Sequence, residues 1–541
     1  MFLTRFILLM YSVYYKFILE LSYLIANFFH GMNLPKILAI TKLGLASLVL
    51  LTLPTYAKYT EIFTPHQIEL SFNVNQPILV ADVLPQAGTE LLVVGIDDKQ
   101  QRILAIYFFD TQNNTFIEQD KINIADNVFA YDVGEPQQDG LQRLYLLDKA
   151  EVHRYVPAHS SHQAVWVKAE SVSSMYVGDK ADSFRKMDFI QDINNDGFDD
   201  IILPHFEQLN LWMSNCCGAR RPQSLPIAAR IEMNESSVSY DDQALYFQDM
   251  NLDNKVDLVT VEQGQLNIFT QNENMQFSPI PTKIKINKSI YAVDWWDMKG
   301  PDGQEMDQSD IQHRVVRAID DFNGDGIPDF ALQFTKSSGV LDKTIDFEFF
   351  YGALTEGKLS YSDQASTNIT SEDTLSNLTF LDRDMDGKKE VSVLSFDIGI
   401  SQIVGALLSG SIDQDVLIFS MDENNLFGEN PLVSQEVEIT FSLSSGTRGQ
   451  PLVKMIDING DAVKDIVYSD GEDMIRALLA TPNQKKPYAN RSLRQKISIP
   501  KNPFNAASED LNADGKSDLV LHYGPADSDE LLKRVLVLLA N

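Results

Sequence analysis

The chain has 541 residues, 44% of them hydrophobic, with a formal net charge of -32. That length supports several ordinary domains or one large repeat array, and a surface this acidic repels nucleic acid and anionic membrane while attracting cations. The only two cysteines, Cys216 and Cys217, are adjacent, which excludes a disulfide framework and leaves a strained vicinal bridge or two free thiols.

The chain opens with two apolar stretches. The first, Phe6 to Phe29, carries Lys16 and Glu20 in its middle, which a membrane-spanning helix tolerates poorly. The second has the form of a secretory signal: Lys36 and Lys42, an apolar run from Leu43 to Leu53, then Pro54-Thr55-Tyr56-Ala57. Cleavage is expected after Ala57, giving a leader over 1–57 and a body over 58–541. Met32 begins a complete signal by itself, so residues 1–31 are either upstream of the true start or a retained membrane anchor. The body is expected to be periplasmic, secreted or at the cell surface, touching a membrane only through an uncleaved N-terminus. Without residues 1–57 the chain keeps 40 basic and 75 acidic residues, a net of -35.

Two units follow with a turn-to-strand pattern but an incomplete set of acids. One is Ala81-Asp82-Val83 leading to Gly88 and the run Leu91-Leu92-Val93-Val94. The other is Asp132-Val133-Gly134 through Asp139-Gly140, leading to Leu144-Tyr145-Leu146-Leu147. Both are expected to be repeat units without a metal. His153, His159 and His162 lie in a Ser-rich stretch, which is expected to be an exposed loop rather than a zinc site.

From residue 192 one acidic nonamer recurs six times, in the frame Asp-x-Asn/Asp-x-Asp-Gly-x-x-Asp/Glu. The first copies are Asp192, Asn194, Asp196 and Asp200; Asp249, Asn251, Asp253 and Asp257; and Asp321, Asn323, Asp325 and Asp329. The others are Asp382, Asp384, Asp386 and Glu390; Asp457, Asn459, Asp461 and Asp465; and Asp510, Asn512, Asp514 and Asp518. Calcium takes six to eight oxygens, and carboxylates or amides at positions 1, 3 and 5 of a tight turn point inward together. Position 7 lends a carbonyl and the acid at position 9 closes the shell. Position 6 needs a residue that accepts positive φ, and four copies have Gly there and one has Asn254. Ala462 departs from this.

An EF-hand is excluded, because it needs a bidentate Glu at position 12 and a following helix. The residues at position 12 are Leu203, Thr260, Leu332, Val393, Tyr468 and Leu521. Each copy runs on into a β-branched or aromatic stretch such as Ile201-Ile202-Leu203 or Leu258-Val259-Thr260-Val261, which predicts a strand. The turn therefore joins strand to strand.

The motif starts imply units of about 60 residues, with further apolar runs such as Gln265–Phe269 and Ile345–Phe350. About four strands per unit, repeated radially, gives an all-β propeller of about eight blades. Seven is the alternative, if the first unit is only a closing element. The last motif lies about 30 residues from the C-terminus, so a strand from 60–75 is expected to complete the last sheet and close the ring. Two long intervals hold candidate surface loops: the acidic insertion after Trp295 and Trp296, and residues 391–450.

The nonamers with their following apolar strands resemble FG-GAP or VCBS repeats, the modules of integrin α-subunit propeller heads and of many exported bacterial proteins. The resemblance covers about residues 75–525 and implies a propeller with calcium in its turns. It implies less about function, since the family includes adhesins, scaffolds and supporting domains of lyases. The regular Phe-Gly and Gly-Ala-Pro pairs of integrins are missing, so no integrin-type ligand site is carried over. The expected function is a non-catalytic binding, adhesion or scaffold module for protein or glycan; the alternative is an exported carbohydrate-active enzyme, such as a polysaccharide lyase.

Overall fold

The computed structural model describes residues 61–541 apart from 159–163, 177–183, 215–219, 235–236, 242, 299–309, 340–341, 397–410, 441–449 and 482–485. The leader, the cysteine pair, His159 and His162 fall outside the described residues. So does most of the Trp insertion's acidic part, and much of the 391–450 loop. The described residues belong to one compact unit, Thr60–Asn541. No described helix is long and apolar enough to cross a membrane.

The fold is an eight-bladed β-propeller of mostly four-stranded antiparallel sheets. Blade 1 holds Glu90–Ile96, Arg102–Asp110 and Thr115–Asn123, with the short segments Asn73–Val74 and Leu79–Ala81 both paired to its first long strand. Blade 2 begins at Val128–Val133, blade 3 at Ile190–Gln191, blade 4 at Tyr246–Gln248 and blade 5 at Ile311–Asp320. Blades 6, 7 and 8 begin at Thr374–Leu381, Val453–Ile456 and Ala506–Glu509. Both units upstream of residue 192 are therefore whole blades, and the count is eight rather than seven.

Blade 8 has only three strands from its own part of the chain. Its outermost strand is Phe63–Glu69, which pairs antiparallel with Arg534–Ala540 from Phe63↔Ala540 to Glu69↔Arg534. The ends are tied further by Asn541 N–H to the Ile62 carbonyl at 3.1 Å. The Gln495 amide oxygen accepts the N–H groups of Ile62 and Phe63 at 2.7 and 2.8 Å.

The strands after the turns are apolar on both faces because each blade packs between two neighbours. Side chains alternate across a strand. In Glu90–Ile96, Leu91 and Val93 enter the cluster shared with blade 8, whereas Leu92 and Val94 enter the one shared with blade 2. In blade 8, Val520 faces blade 1, and Leu519 and Leu521 face blade 7. The core is thus a series of wedges between blades. Among the described residues two extra hairpins, Arg230–Asn234 with Ser237–Asp241 and Gly352–Thr355 with Lys358–Tyr361, stand outside the blade sheets.

Candidate metal centres

All six nonamers connect the first strand of a blade to its second, as in Ile190–Gln191 and Asp200–Pro204, which pair Gln191↔Asp200. In an antiparallel meander the first-to-second and third-to-fourth connections share one end of the sheet. The six turns consequently lie on one face of the propeller.

Their internal geometry is nearly identical. The carboxylate at position 1 accepts the N–H groups of positions 5 and 6. For Asp192 these are Asp196 at 3.0 Å and Gly197 at 2.7 Å; for Asp510 they are Asp514 at 3.1 Å and Gly515 at 2.8 Å. The amide oxygen at position 3 accepts the N–H of position 5, at 2.9 Å for Asn194, Asn251, Asn323 and Asn459 and at 3.0 Å for Asn512. The position 5 carboxylate accepts the N–H of position 7, as in Asp325 with Ile327 at 2.9 Å. The expected positive φ at position 6 is present, including at Asn254 (66°) and Ala462 (69°). Position 4 is left-handed too, at Leu252, Met385 and Ala513 among others. Asn195, Gly324 and Gly460 at the same position suit that conformation, whereas Leu252, Met385 and Ala513 rarely adopt it and disguise the signal.

The acid at position 9 is the most buried of the set. Asp200, Asp257, Asp329, Asp465 and Asp518 are fully buried, and Glu390 nearly so. Each Asp clamps two backbone N–H groups. Asp518 Oδ2 accepts Leu511 N–H at 3.0 Å and its Oδ1 accepts Ala540 N–H at 2.8 Å. Asp329 likewise accepts Phe322 N–H at 3.0 Å and Gly352 N–H at 2.8 Å. This acid therefore ties position 2 of the turn to the start of the third-to-fourth connection, where that connection follows.

Burial pushes these carboxyls up, with positions 1 and 5 adding like charge: Asp200 to about 8, Asp329 and Asp518 to about 7, Asp257 and Asp465 to about 6. Glu390 is also pushed up by burial, to about 7. Clustered carboxyls held above their ordinary range are an electrostatic environment that a bound cation reverses.

The fourth copy brings its acids closest. Ligand oxygens of Asp382, Asp384 and Glu390 lie within 4.8 Å of one another. Asp384 Oδ1 is buried without a hydrogen-bond partner, although its other oxygen pairs with Arg383. The donors in all six turns are oxygens, the chemistry that a hard divalent cation selects.

Neighbouring turns are also joined to one another. At four blade junctions the N–H at position 8 donates to the carbonyl of position 1 or 2 in the preceding blade. Lys389 reaches Phe322 at 2.9 Å, Lys464 reaches Arg383 at 3.2 Å and Ser517 reaches Asp457 at 2.6 Å. The series crosses the closure, with Thr89 N–H on the Asp510 carbonyl at 3.3 Å, and Gln142 N–H on the Asp82 carbonyl at 2.7 Å. Between blades 4 and 5 position 8 is Pro328, which has no N–H to give; there the Gln248 amide reaches Asp320 at 3.1 Å. Between blades 2 and 3 the side chain of Asp199 accepts Glu135 N–H at 3.1 Å and the Tyr145 hydroxyl at 2.8 Å.

Two acids outside the six copies occupy related places. Glu90 stands eight residues after Asp82, the position 9 of a degenerate turn, and its Oε2 accepts Val83 and Leu84 N–H at 2.8 and 3.0 Å. Counting from Asp82 reveals it in the sequence, although Leu84 and Gln86 at positions 3 and 5 disguise the frame. Asp132 in blade 2 accepts Phe189 and Ile190 N–H at 2.7 and 2.8 Å.

Of the other candidates, Trp295 is 7% exposed and Trp296 51% exposed. The two rings meet edge to face at 5.5 Å, with the Lys343 ammonium 4.7 Å from the Trp295 ring centroid. His153 lies beside Asp148 and Glu151 at 3.6 and 3.5 Å.

No protein-family model matches this chain, and no curated protein matches it. Solved structures similar to it include Saccharomyces cerevisiae Sqt1, at a TM-score of 0.41 and 8% identity over 89% of this chain and 100% of that one. The Dos1 propeller has a TM-score of 0.40 and 8% identity over 88% and 94% of the two chains. A lectin from Agrocybe aegerita that recognises non-reducing terminal N-acetylglucosamine has a TM-score of 0.33 and 11% identity over 79% and 81%.

Proposed function

We propose that the protein is an exported, calcium-binding propeller of the FG-GAP or VCBS type that serves as a non-catalytic binding, adhesion or scaffold module for a protein or glycan. The observation that carries this reading is the repetition of one all-oxygen turn at six equivalent blade entries on one face. Positions 1, 3 and 5 of each turn would hold the ion, together with whatever lone pairs the position 9 acid keeps free of its backbone bonds. The ion supplies positive charge where three or four acids otherwise repel. At tenfold excess over its dissociation constant each ion stabilises the fold by about 1.4 kcal/mol.

The ligand side of the proposal rests on where apolar side chains are exposed. Phe206, Met275, Trp296, Leu354 and Phe504 lie on connections or on an extra hairpin, whereas the less bulky Ile117, Val165 and Val167 are exposed on outermost blade strands. Loops on a rigid scaffold are the usual carriers of binding residues. Trp296, anchored by buried Trp295, is the side chain best placed to stack on a sugar or a partner.

Two measurements test the reading. Thermal unfolding with calcium and with EDTA checks the metal: the melting temperature is expected to fall in chelator, and identical curves refute it. Glycan and protein arrays probed with the wild type and with Trp296→Ala check the ligand face. Loss of a captured ligand in the variant at unchanged stability supports the reading, and arrays that capture nothing refute it.

A further inference from the structure

In a chain of net charge -32, one cavity collects cations. It has a volume of about 650 Å³ and lies between the outer strands of blades 6 and 7. Arg476, Lys486, Arg491 and Arg494 line it, and no carboxylate does so among its described lining residues.

The two strand arginines stand against one another, although both reach solvent, Arg476 with 32% of its side chain exposed. Arg476 and Arg494 are directly opposite in the antiparallel pair formed by Met474–Leu478 and Leu493–Lys496. Directly opposed side chains have Cβ atoms about 5 Å apart, and like charges there repel. Arg476 has one acidic partner, Asp470. Its Nε is buried with no acceptor. Neither Arg491 nor Arg494 makes an ion pair among the described residues, and the Lys486 ammonium bonds only the Asn490 amide oxygen, at 2.7 Å. Among the described residues only one of the four cations thus has a carboxylate partner, and one buried donor has no acceptor.

We propose that this cavity binds an anionic sugar, with the guanidinium groups of Arg476 and Arg494 holding its carboxylate, sulfate or phosphate. Guanidinium forks match such oxyanions in two-point contacts, and Lys486 and Arg491 at the rim add attraction. Of the remaining polar lining, Asn490 and two serines offer an amide and hydroxyls suited to sugar hydroxyls, while the Gln435 amide is held by the Ser434 carbonyl and the Tyr468 hydroxyl. The volume falls in the range of small-ligand sites. The inference names a ligand class for one surface of the binding module proposed above, and rests on that reading for its biological use.

The test is calorimetric titration of the purified protein with digalacturonate, galactose 6-sulfate and glucose 6-phosphate, with galactose and sodium sulfate as controls. At least one acidic sugar is expected to bind tenfold or more tightly than both controls, and Arg494→Glu is expected to weaken it at least tenfold. Arg494→Lys retains part of the affinity, because the charge remains while the fork is lost. In the absence of sugar, R494E is expected to melt at or above the wild-type temperature, since it replaces a repulsion by an attraction. The proposal fails if no acidic sugar exceeds both controls, if R494E binds as well as wild type, or if R494E melts lower. Failure here alongside productive arrays removes the cavity and leaves the binding module standing; empty arrays and empty titrations remove both.

Discussion

Gly88 is where the closure of the ring can be tested by a single methyl group. Its φ is +92°, and a Cβ at this residue would lie 2.4 Å from the Leu511 carbonyl oxygen and 3.0 Å from its carbon. Both atoms belong to the sixth acidic turn, in blade 8. The next residue, Thr89, donates to the Asp510 carbonyl through its N–H at 3.3 Å and its hydroxyl at 3.1 Å. Gly88→Ala costs about 1–2 kcal/mol for a left-handed alanine. It must also part blades 1 and 8 by close to an ångström, weakening two hydrogen bonds worth about 1 kcal/mol each. The total is about 3–4 kcal/mol. Gly140→Ala is the control, because Gly140 has φ +81° and open space around its Cβ direction, so only the backbone term of about 1–2 kcal/mol applies. Urea unfolding of both variants measures the difference, and amide exchange of Phe63–Glu69 and Arg534–Ala540 locates it. A Gly88→Ala protein no less stable than Gly140→Ala would refute the closure argument. So would unchanged protection of the two closing strands.

Ala462→Gly is expected to raise the urea midpoint, by an equivalent of about 0.5–1 kcal/mol, because Ala462 holds φ at 69° and relief of that strain exceeds the added chain entropy; a lowered midpoint contradicts this. His522 makes a pH-dependent contribution, since burial pushes its imidazole from 6.5 down to about 4. The folded state favours the neutral ring, so this contribution is complete above pH 6.5 and is lost as the pH falls from 6.5 through 4. It is worth about 3 kcal/mol. Buried position 9 carboxyls, raised in the absence of a cation, move stability the opposite way on acidification. The difference between wild type and His522→Gln across pH 4–7 therefore isolates the histidine, and a constant difference would count against its burial as a neutral ring.

Most of the ring could be read from residue order because its units announce themselves twice, by acids at odd positions and by the apolar strand that follows. The closing strand was expected within 60–75 and is Phe63–Glu69. Much of what escaped the sequence depends on contacts between distant segments. The bond from Thr89 to Asp510 spans 421 residues, and nothing local to either residue specifies it. Arg476 and Arg494 are 18 positions apart in the chain, and only the register of their hairpin sets them face to face. Leu252, Met385 and Ala513 hold left-handed backbone at position 4 because the turn geometry requires it, against their own preference.

The position 9 acid shows how one residue type serves two purposes that spacing alone cannot separate. Its place in the nonamer suggests a ligand, yet its carboxylate oxygens already hold the turn to the blade through backbone N–H groups. Glu90 is informative here. Its turn has Leu84 and Gln86 where the other copies have ligands, but the acid remains, buried and bonded to Val83 and Leu84. A group kept where the ligand set is broken is needed by the backbone first. Any ion then acts on a frame that is already clamped, and the carbonyls of that frame receive the N–H groups of the next turn. Where position 8 donates, fixing one turn fixes the acceptor its neighbour uses, so those turns are coupled by nearest-neighbour contacts, whereas Pro328 has no N–H to give.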